Sequence, residues 1–173
     1  MYLLEQVLLI GKSESGKLQS YPTRFNLKTL CQEMIESLQL QNTHRLIDFS
    51  YLGADDTIEL DPALIRQILL NLLTNAVKYS PNDRPIQLRV QQEHSAITLE
   101  VEDQGIGIPL DEQAHLFELF HRCSNAQSIR GSGLGLAVVK TCLKALNGQI
   151  QINSQLGQGT IVTTKIPLEL PIF

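Results

Sequence analysis

The chain has 173 residues, 43% of them hydrophobic and 18% charged, and a net charge of −4. That is ordinary composition for one globular domain with a real core and a short appendage, and it argues against bulk attraction to nucleic acid. Three cysteines (Cys31, Cys123 and Cys142) form no C-x-x-C pair, which fits a reducing interior better than a disulfide scaffold.

No apolar run approaches the roughly 20 residues needed to span a bilayer. The opening "MYLLEQVLLI" lacks the basic start and small-residue cleavage site of a signal peptide. The chain therefore reads as cytoplasmic, with membrane anchorage of a parent protein left open.

Leu3, Leu4, Val7 and Leu8 recur at helical spacing, so the chain is expected to begin with a helix end followed by a polar turn. The turn "GKSESGKL" puts Gly11, Gly16 and Lys17 in register with a phosphate-binding loop. Leu18 stands where the metal-binding hydroxyl belongs, and Pro22 argues against a long following helix. The match is a decoy. Residues 25–40 carry Leu27, Leu30, Cys31, Met34, Ile35 and Leu38 as an amphipathic helix, capped by Asn26. "RLIDFSYL" and "TIEL" read as short strands separated by the turn "GADD".

Asp61 and Pro62 open the strongest helix, whose apolar stripe runs from Leu64/Ile65 to Ala76/Val77 and stops at "SPND". "IQLRV" and "ITLEVED" alternate as strands. The glycine-rich "DQGIGIP" follows, then a short helix over residues 110–117 and an irregular stretch. "GSGLGLAVVKTCLKAL" reads as a helix closed by Asn147 and Gly148, and "QIQI" and "GTIVTTKI" as final strands. The mixture predicts an α+β fold, a two-layer sandwich with three main helices on one face of a mixed sheet.

Three places carry residues that a core does not explain. Asn71, Asn75, Lys78 and Tyr79 share one flank of the Asp61-capped helix. Two poor helix formers in register weaken a helix unless they serve a ligand. An amide oxygen can ligate magnesium, and a lysine can meet phosphate. A plain solvated face is the alternative. Asp103 continues the inward alternation of Ile97, Leu99 and Val101, so its carboxylate points to the apolar side and needs a donor. An adenine amino group would serve, and so would the turn's own amides. Gly105 and Gly107, just beyond, permit close ligand approach. Finally, Gly131, Gly133 and Gly135 precede and open a helix, where free amides can face phosphate.

In this order the segments resemble the ATP-binding catalytic domain of sensor histidine kinases, within the Bergerat-fold superfamily that includes type II topoisomerases and chaperone and mismatch-repair ATPases. "NLLTNAVKYS" resembles the N box, "DQGIGIP" the first glycine box, "LFELFHR" the F box and "GSGLGL" the second glycine box, over residues 25–167. The resemblance implies a two-layer sandwich binding ATP and Mg2+. It implies that Asn75 ligates magnesium, Asn71 sits beside the phosphates, Lys78 approaches them and Tyr79 packs on the purine. It implies that Asp103 accepts from the adenine amino group, with Gly105, Gly107 and Ile108 around the base. Residues 120–130 would form an ATP lid with Arg122 as a phosphate contact. Gly131, Ser132, Gly133, Leu134, Gly135 and Leu136 would wrap the phosphates, and Thr160 would join the adenine-side hydrogen bonds. Asn71, Lys78 and Arg122 become the catalytic candidates.

Arg130 departs from the family's small residue, and its role stays open. None of His44, His94, His115 and His121 lies in the family's helical phosphoacceptor setting. Residues 1–20 instead resemble the tail of a dimerisation helix with its linker, and residues 21–173 the catalytic domain. The resemblance thus implies a histidine-kinase fragment, with a histidine-bearing dimerisation domain and a response regulator receiver as partners. A hydrolysing relative or anti-sigma-type serine kinase would carry Glu where Asn71 stands, as general base. A non-catalytic nucleotide-gated module is the third reading.

Overall fold

The computed structural model describes residues 2–43 and 45–168, with Tyr2 as backbone only; His44 lies outside the described residues. Its elements run α1 (Tyr2–Glu14), β1 (Thr23–Asn26), α2 (Leu27–Gln41), β2 (Ile47–Leu52), β3 (Thr57–Leu60), α3 (Pro62–Tyr79), β4 (Ile86–Gln92), β5 (Ala96–Asp103), α4 (Gly135–Ala145), β6 (Gln149–Gln155) and β7 (Gly159–Pro167).

Five strands form a mixed sheet in the order β2-β4-β5-β7-β6. β2 runs parallel to β4, and the other neighbours are antiparallel. Because side chains alternate across a strand, Ile86, Leu88 and Val90 of β4 and Ile97, Leu99 and Val101 of β5 all face one side, where they are buried. The stripes of α2, α3 and α4 share that core with them. On the opposite face Arg89 bridges Glu100 and Glu102, a polar, solvent-facing surface. The expected two layers are present. β1 and β3 pair antiparallel in a separate two-stranded ribbon.

Local chemistry explains the helix bounds. Asp61 Oδ1 accepts from the amides of Ala63 and Leu64 at 2.9 and 3.2 Å, satisfying the first turn of α3. Its Oδ2 accepts from the Tyr21 amide at 2.8 Å, which ties the segment after α1 to the same helix. At the other end Arg45, only 5% exposed, donates to the carbonyls of Val77 (2.6 Å), Ser80 (2.8 Å) and Pro81. A buried cation on the last carbonyls suits the negative end of the helix dipole and holds the turn that carries Lys78 and Tyr79. Asn26 caps α2 through the Thr29 amide. Asn147, at φ 54, reverses the chain after α4, and the Gly148 amide reaches back to the Leu143 carbonyl.

One expectation is refined and one strand is added. The short helix expected over residues 110–117 is present as a 3-10 helix, Leu110–His115, with no buried side chain and Leu110 85% exposed. Without an apolar stripe to pack, nothing sustains a longer i→i−4 ladder there. Strand β1, which no sequence pattern announced, is four mostly exposed residues that pair with β3, with Phe25 packed against the core.

Candidate functional site

Between the inner flank of α3, the end of β5 and the start of α4 lies a cavity of about 350 Å³. That is within the range of small-molecule sites, roughly 300–1,000 Å³. Its walls include Asn71, Asn75, Lys78, Tyr79, Asp103, Gly107, Ile108, Arg122, Gly131, Ser132, Gly133, Gly135, Leu136 and Thr160. The three segments singled out in the sequence therefore meet in space. Leu134 is instead a core residue, 1% exposed, whose main chain leads into α4. Gly105 lies behind the wall: a Cβ there would overlap the Tyr79 carbonyl, so glycine lets the β5 loop press on the end of α3.

One group of residues centres on Asp103. It stands opposite Thr160 on the paired strand β7. Its Oδ1 accepts from the Gly105 amide at 2.8 Å. Burial raises its pKa, while bonds from the backbone of Gly105 and Thr160 pull it back down. The turn thus satisfies part of the carboxylate, and the rest remains available to a donor in the cavity. Ser154, which no sequence pattern marked, ties this end together. Its Oγ accepts from the Ile108 amide at 3.0 Å and shares a 2.8 Å hydrogen bond with Thr160 Oγ1. Apolar walls complete it, Val101, Ile106, Ile152 and Val162 among them.

The second group sits where α3 meets α4. A Cβ at Gly135 would come within 3.3 Å of Asn71 Oδ1 and 3.5 Å of the Asn75 amide, so the amides and the first turn of α4 adjoin. Asn71, 2% exposed, donates through Nδ2 to the Gln67 carbonyl and accepts through Oδ1 from Gln6 Nε2, both at 2.8 Å. No side-chain hydrogen bond joins the Asn75 amide to the described residues. Lys78 Nζ donates to Tyr79 Oη at 2.7 Å and lies against Gly131, where a side chain would overlap it. The cation, the glycine backbone and the amides form a polar, net-positive end suited to an anion.

The intervening loop is organised by its own residues. Arg122 Nη2 donates to the carbonyls of Ala126 and Gln127, at 2.8 and 3.0 Å, and to that of Ile129. The expected phosphate contact is thus spent on loop carbonyls here, while Arg130 is exposed on the cavity rim. Gly133, at φ 72, passes so close to the Phe120 backbone that a Cβ would collide, giving the loop a narrow neck. Glu112 binds Ser124 through its amide and hydroxyl, and His121 Nε2 lies 3.7 Å from the same carboxylate.

A family model described as "Histidine kinase-, DNA gyrase B-, and HSP90-like ATPase" matches residues 60–170, the stretch that builds this cavity. The chain belongs to that family. It is 36% identical over 171 residues to the circadian input-output histidine kinase CikA of Synechococcus elongatus, an overlap of 95% of this chain and 23% of that protein. It is 39% identical over 116 residues to the sensor protein kinase WalK of Staphylococcus saprophyticus, 65% of this chain and 19% of that one. The chain thus spans about a fifth to a quarter of these relatives. Among solved structures, full-length ShkA in complex with AMPPNP has a TM-score of 0.84 at 24% identity, covering 99% of this chain and 36% of that chain. The chain carries the ATP-binding catalytic domain of a sensor histidine kinase. No helix among the described residues is long and apolar enough to cross a membrane.

Sequence reasoning missed Gln6, Ser154 and Arg45. Gln6 and Ile10, one turn apart on α1, are the buried pair, whereas Leu3, Leu4, Val7 and Leu8 are 46–62% exposed. The i, i+4 spacing of Gln6 and Ile10 was the available signal.

Proposed function

We propose that the cavity binds Mg-ATP and that the domain transfers the γ-phosphoryl group to a histidine of a dimerisation domain, for onward passage to a response regulator receiver. The observation that carries this reading is the character of position 71. Asp103 is the only carboxylate lining the cavity among the described residues, and the phosphate end holds amides and cations instead. A site that hydrolyses ATP, or activates a hydroxyl, needs a base at that end. A neutral imidazole is nucleophilic without one, so positioning and charge stabilisation suffice.

In this reading Asp103 accepts from the adenine amino group while the Ser154–Thr160 pair and Ile108 hold the base edge. Tyr79 packs on the purine. Lys78 and the amides of Gly131, Ser132, Gly133 and Gly135 face the phosphates, with Leu136 shaping the helix start. Arg122 joins them if it leaves its loop carbonyls. Asn75, whose amide has no side-chain hydrogen bond among the described residues, fits a hard cation. With no carboxylate beside it, the site suits a metal arriving with phosphate rather than a free ion. Mg2+, when bound, would offset charge on the phosphate oxygens. Residues 1–20 would be the tail of the dimerisation helix and its linker, and residues 21–173 the catalytic domain, working on the cytoplasmic side.

The test is phosphotransfer. With γ-32P-labelled ATP and a dimeric helical domain bearing a matching histidine, label should appear on that domain. The chain alone should take up none on His44, His94, His115 or His121, and should hydrolyse ATP slowly. Stable label on His121, or rapid hydrolysis by the chain alone, would overturn the proposal.

A further inference from the structure

We infer that Gln6, on α1, is a positioning residue of the nucleotide site: it orients the Asn71 amide, so that docking of α1 and binding of Mg-nucleotide are coupled. The inference rests on the function proposed above and adds a residue to its phosphate end.

The argument begins at the Gln67 carbonyl. A carbonyl only accepts, so the Asn71 group 2.8 Å from it must be the NH2. That turns Asn71 Oδ1 the other way, toward Gly135 and toward Gln6. Gln6 Nε2 meets this oxygen at 2.8 Å across 65 residues of sequence. Flipping the Asn71 amide would set its NH2 against the Gln6 NH2 and its oxygen against the Gln67 carbonyl. Gln6 thus opposes a rotation that the Gln67 bond also resists. Without Gln6, Asn71 loses the donor that faces its Oδ1 beside the first turn of α4.

Gln6 is also out of place as a surface residue. It is 3% exposed on a helix whose large apolar side chains Leu3, Leu4, Val7 and Leu8 face outward. It lines the cavity, and its Oε1 is buried without a hydrogen-bond partner among the described residues. A buried acceptor on a cavity wall favours a ligand that brings a donor to it. The hydration water of a cation bound with phosphate is such a donor. Ile10, one turn on, seats α1 in the shared core, so the glutamine follows the helix. A roll of α1 would withdraw the donor from Asn71.

The experiment is a double-mutant cycle on the binding of AMPPNP with Mg2+, read by calorimetry on the full chain. The variants are Gln6→Met, which keeps the length and apolar stem, Asn71→Ala, and both together; circular dichroism checks that each folds. Gln6→Met should weaken Mg-AMPPNP about 5- to 10-fold, the value of one buried hydrogen bond, and leave Mg-free ADP within about 2-fold. On the Asn71→Ala background it should have little further effect. Nucleotide should slow hydrogen exchange along α1 in the parent chain and not in Gln6→Met, a second readout if the double variant fails to fold. Unchanged Mg-AMPPNP affinity in Gln6→Met would overturn the inference, as would equal losses for both nucleotides or losses that simply add to those of Asn71→Ala. If the parent chain binds no nucleotide at all, the proposed function fails first, and the two failures are distinguished.

Discussion

Replacing Asp103 by Asn should cost nucleotide affinity without costing the fold. Asp103 Oδ1 accepts from the Gly105 amide at 2.8 Å, a bond that an asparagine oxygen can keep. Keeping it aims the new NH2 into the cavity, donor against donor with an adenine amino group. A hydrogen bond to a charged acceptor is worth about 1.5–3 kcal/mol, which is about 12- to 150-fold in Kd, and the opposed donors push the loss toward the upper figure. Calorimetry with AMPPNP at neutral pH reads this directly, and affinity within about 2-fold of the parent chain would refute the assignment. The pH dependence supplies a second arm. Burial, the largest influence, raises the Asp103 pKa in the folded domain above its ordinary value. The folded state therefore holds this proton more tightly than the unfolded one. The stability penalty of the buried carboxylate is present above the folded pKa and is relieved as pH falls through it toward the unfolded value. Over that window the unliganded parent should gain stability relative to Asp103→Asn, while its nucleotide affinity falls as the acceptor is protonated. The variant should show neither change.

Asn75→Ala should weaken Mg-ATP strongly while leaving ADP without magnesium nearly unchanged; equal losses in the two titrations would make the amide structural. Hydrogen exchange over residues 120–133 should be fast in the free domain and slow on nucleotide binding, because Ala126 is the only buried side chain in that stretch to offset the entropy of ordering. Equally slow exchange in both states would contradict that. Arg45→Met should destabilise the domain by about 2–3 kcal/mol, since three carbonyls at the end of α3 lose a charged donor. A thermal midpoint unchanged from the parent chain would show that water replaces the guanidinium without cost.

The elements that position the site were largely written in the sequence because each carries its own local signal. Asp61 and Pro62 announce α3, and its stripe from Leu64 to Ala76 leaves Asn71 and Asn75 beside the core. The alternation of Ile97, Leu99 and Val101 delivers Asp103 to the inner face by counting in twos. What stayed hidden depends on contacts between distant parts of the chain. Arg45 reaches the end of α3 across 32 to 36 residues, and Ser154 reaches Ile108 across 46. Neither shows a periodicity or cap that marks it. Gln6 was hidden by its neighbours: Leu3, Leu4, Val7 and Leu8 suggest a burying face, yet that face is exposed and the polar side chain is inside. Strand β1 stayed hidden because Phe25 is its only partly buried residue, and the short helix of residues Leu110–His115 is 3-10 rather than α for lack of a stripe.

The claim that the cavity reads adenine through Asp103 and holds phosphates at the α3–α4 junction is tested most directly by nucleotide selectivity. ATP and GTP share every phosphate contact and differ at the base, where adenine carries an amino donor and guanine presents a carbonyl oxygen to the same carboxylate. Competition calorimetry with Mg2+ present should show ATP binding at least about 10-fold tighter than GTP, with the preference collapsing in Asp103→Asn. Equal affinity for the two nucleotides, or a preference that survives Asp103→Asn, would contradict the account.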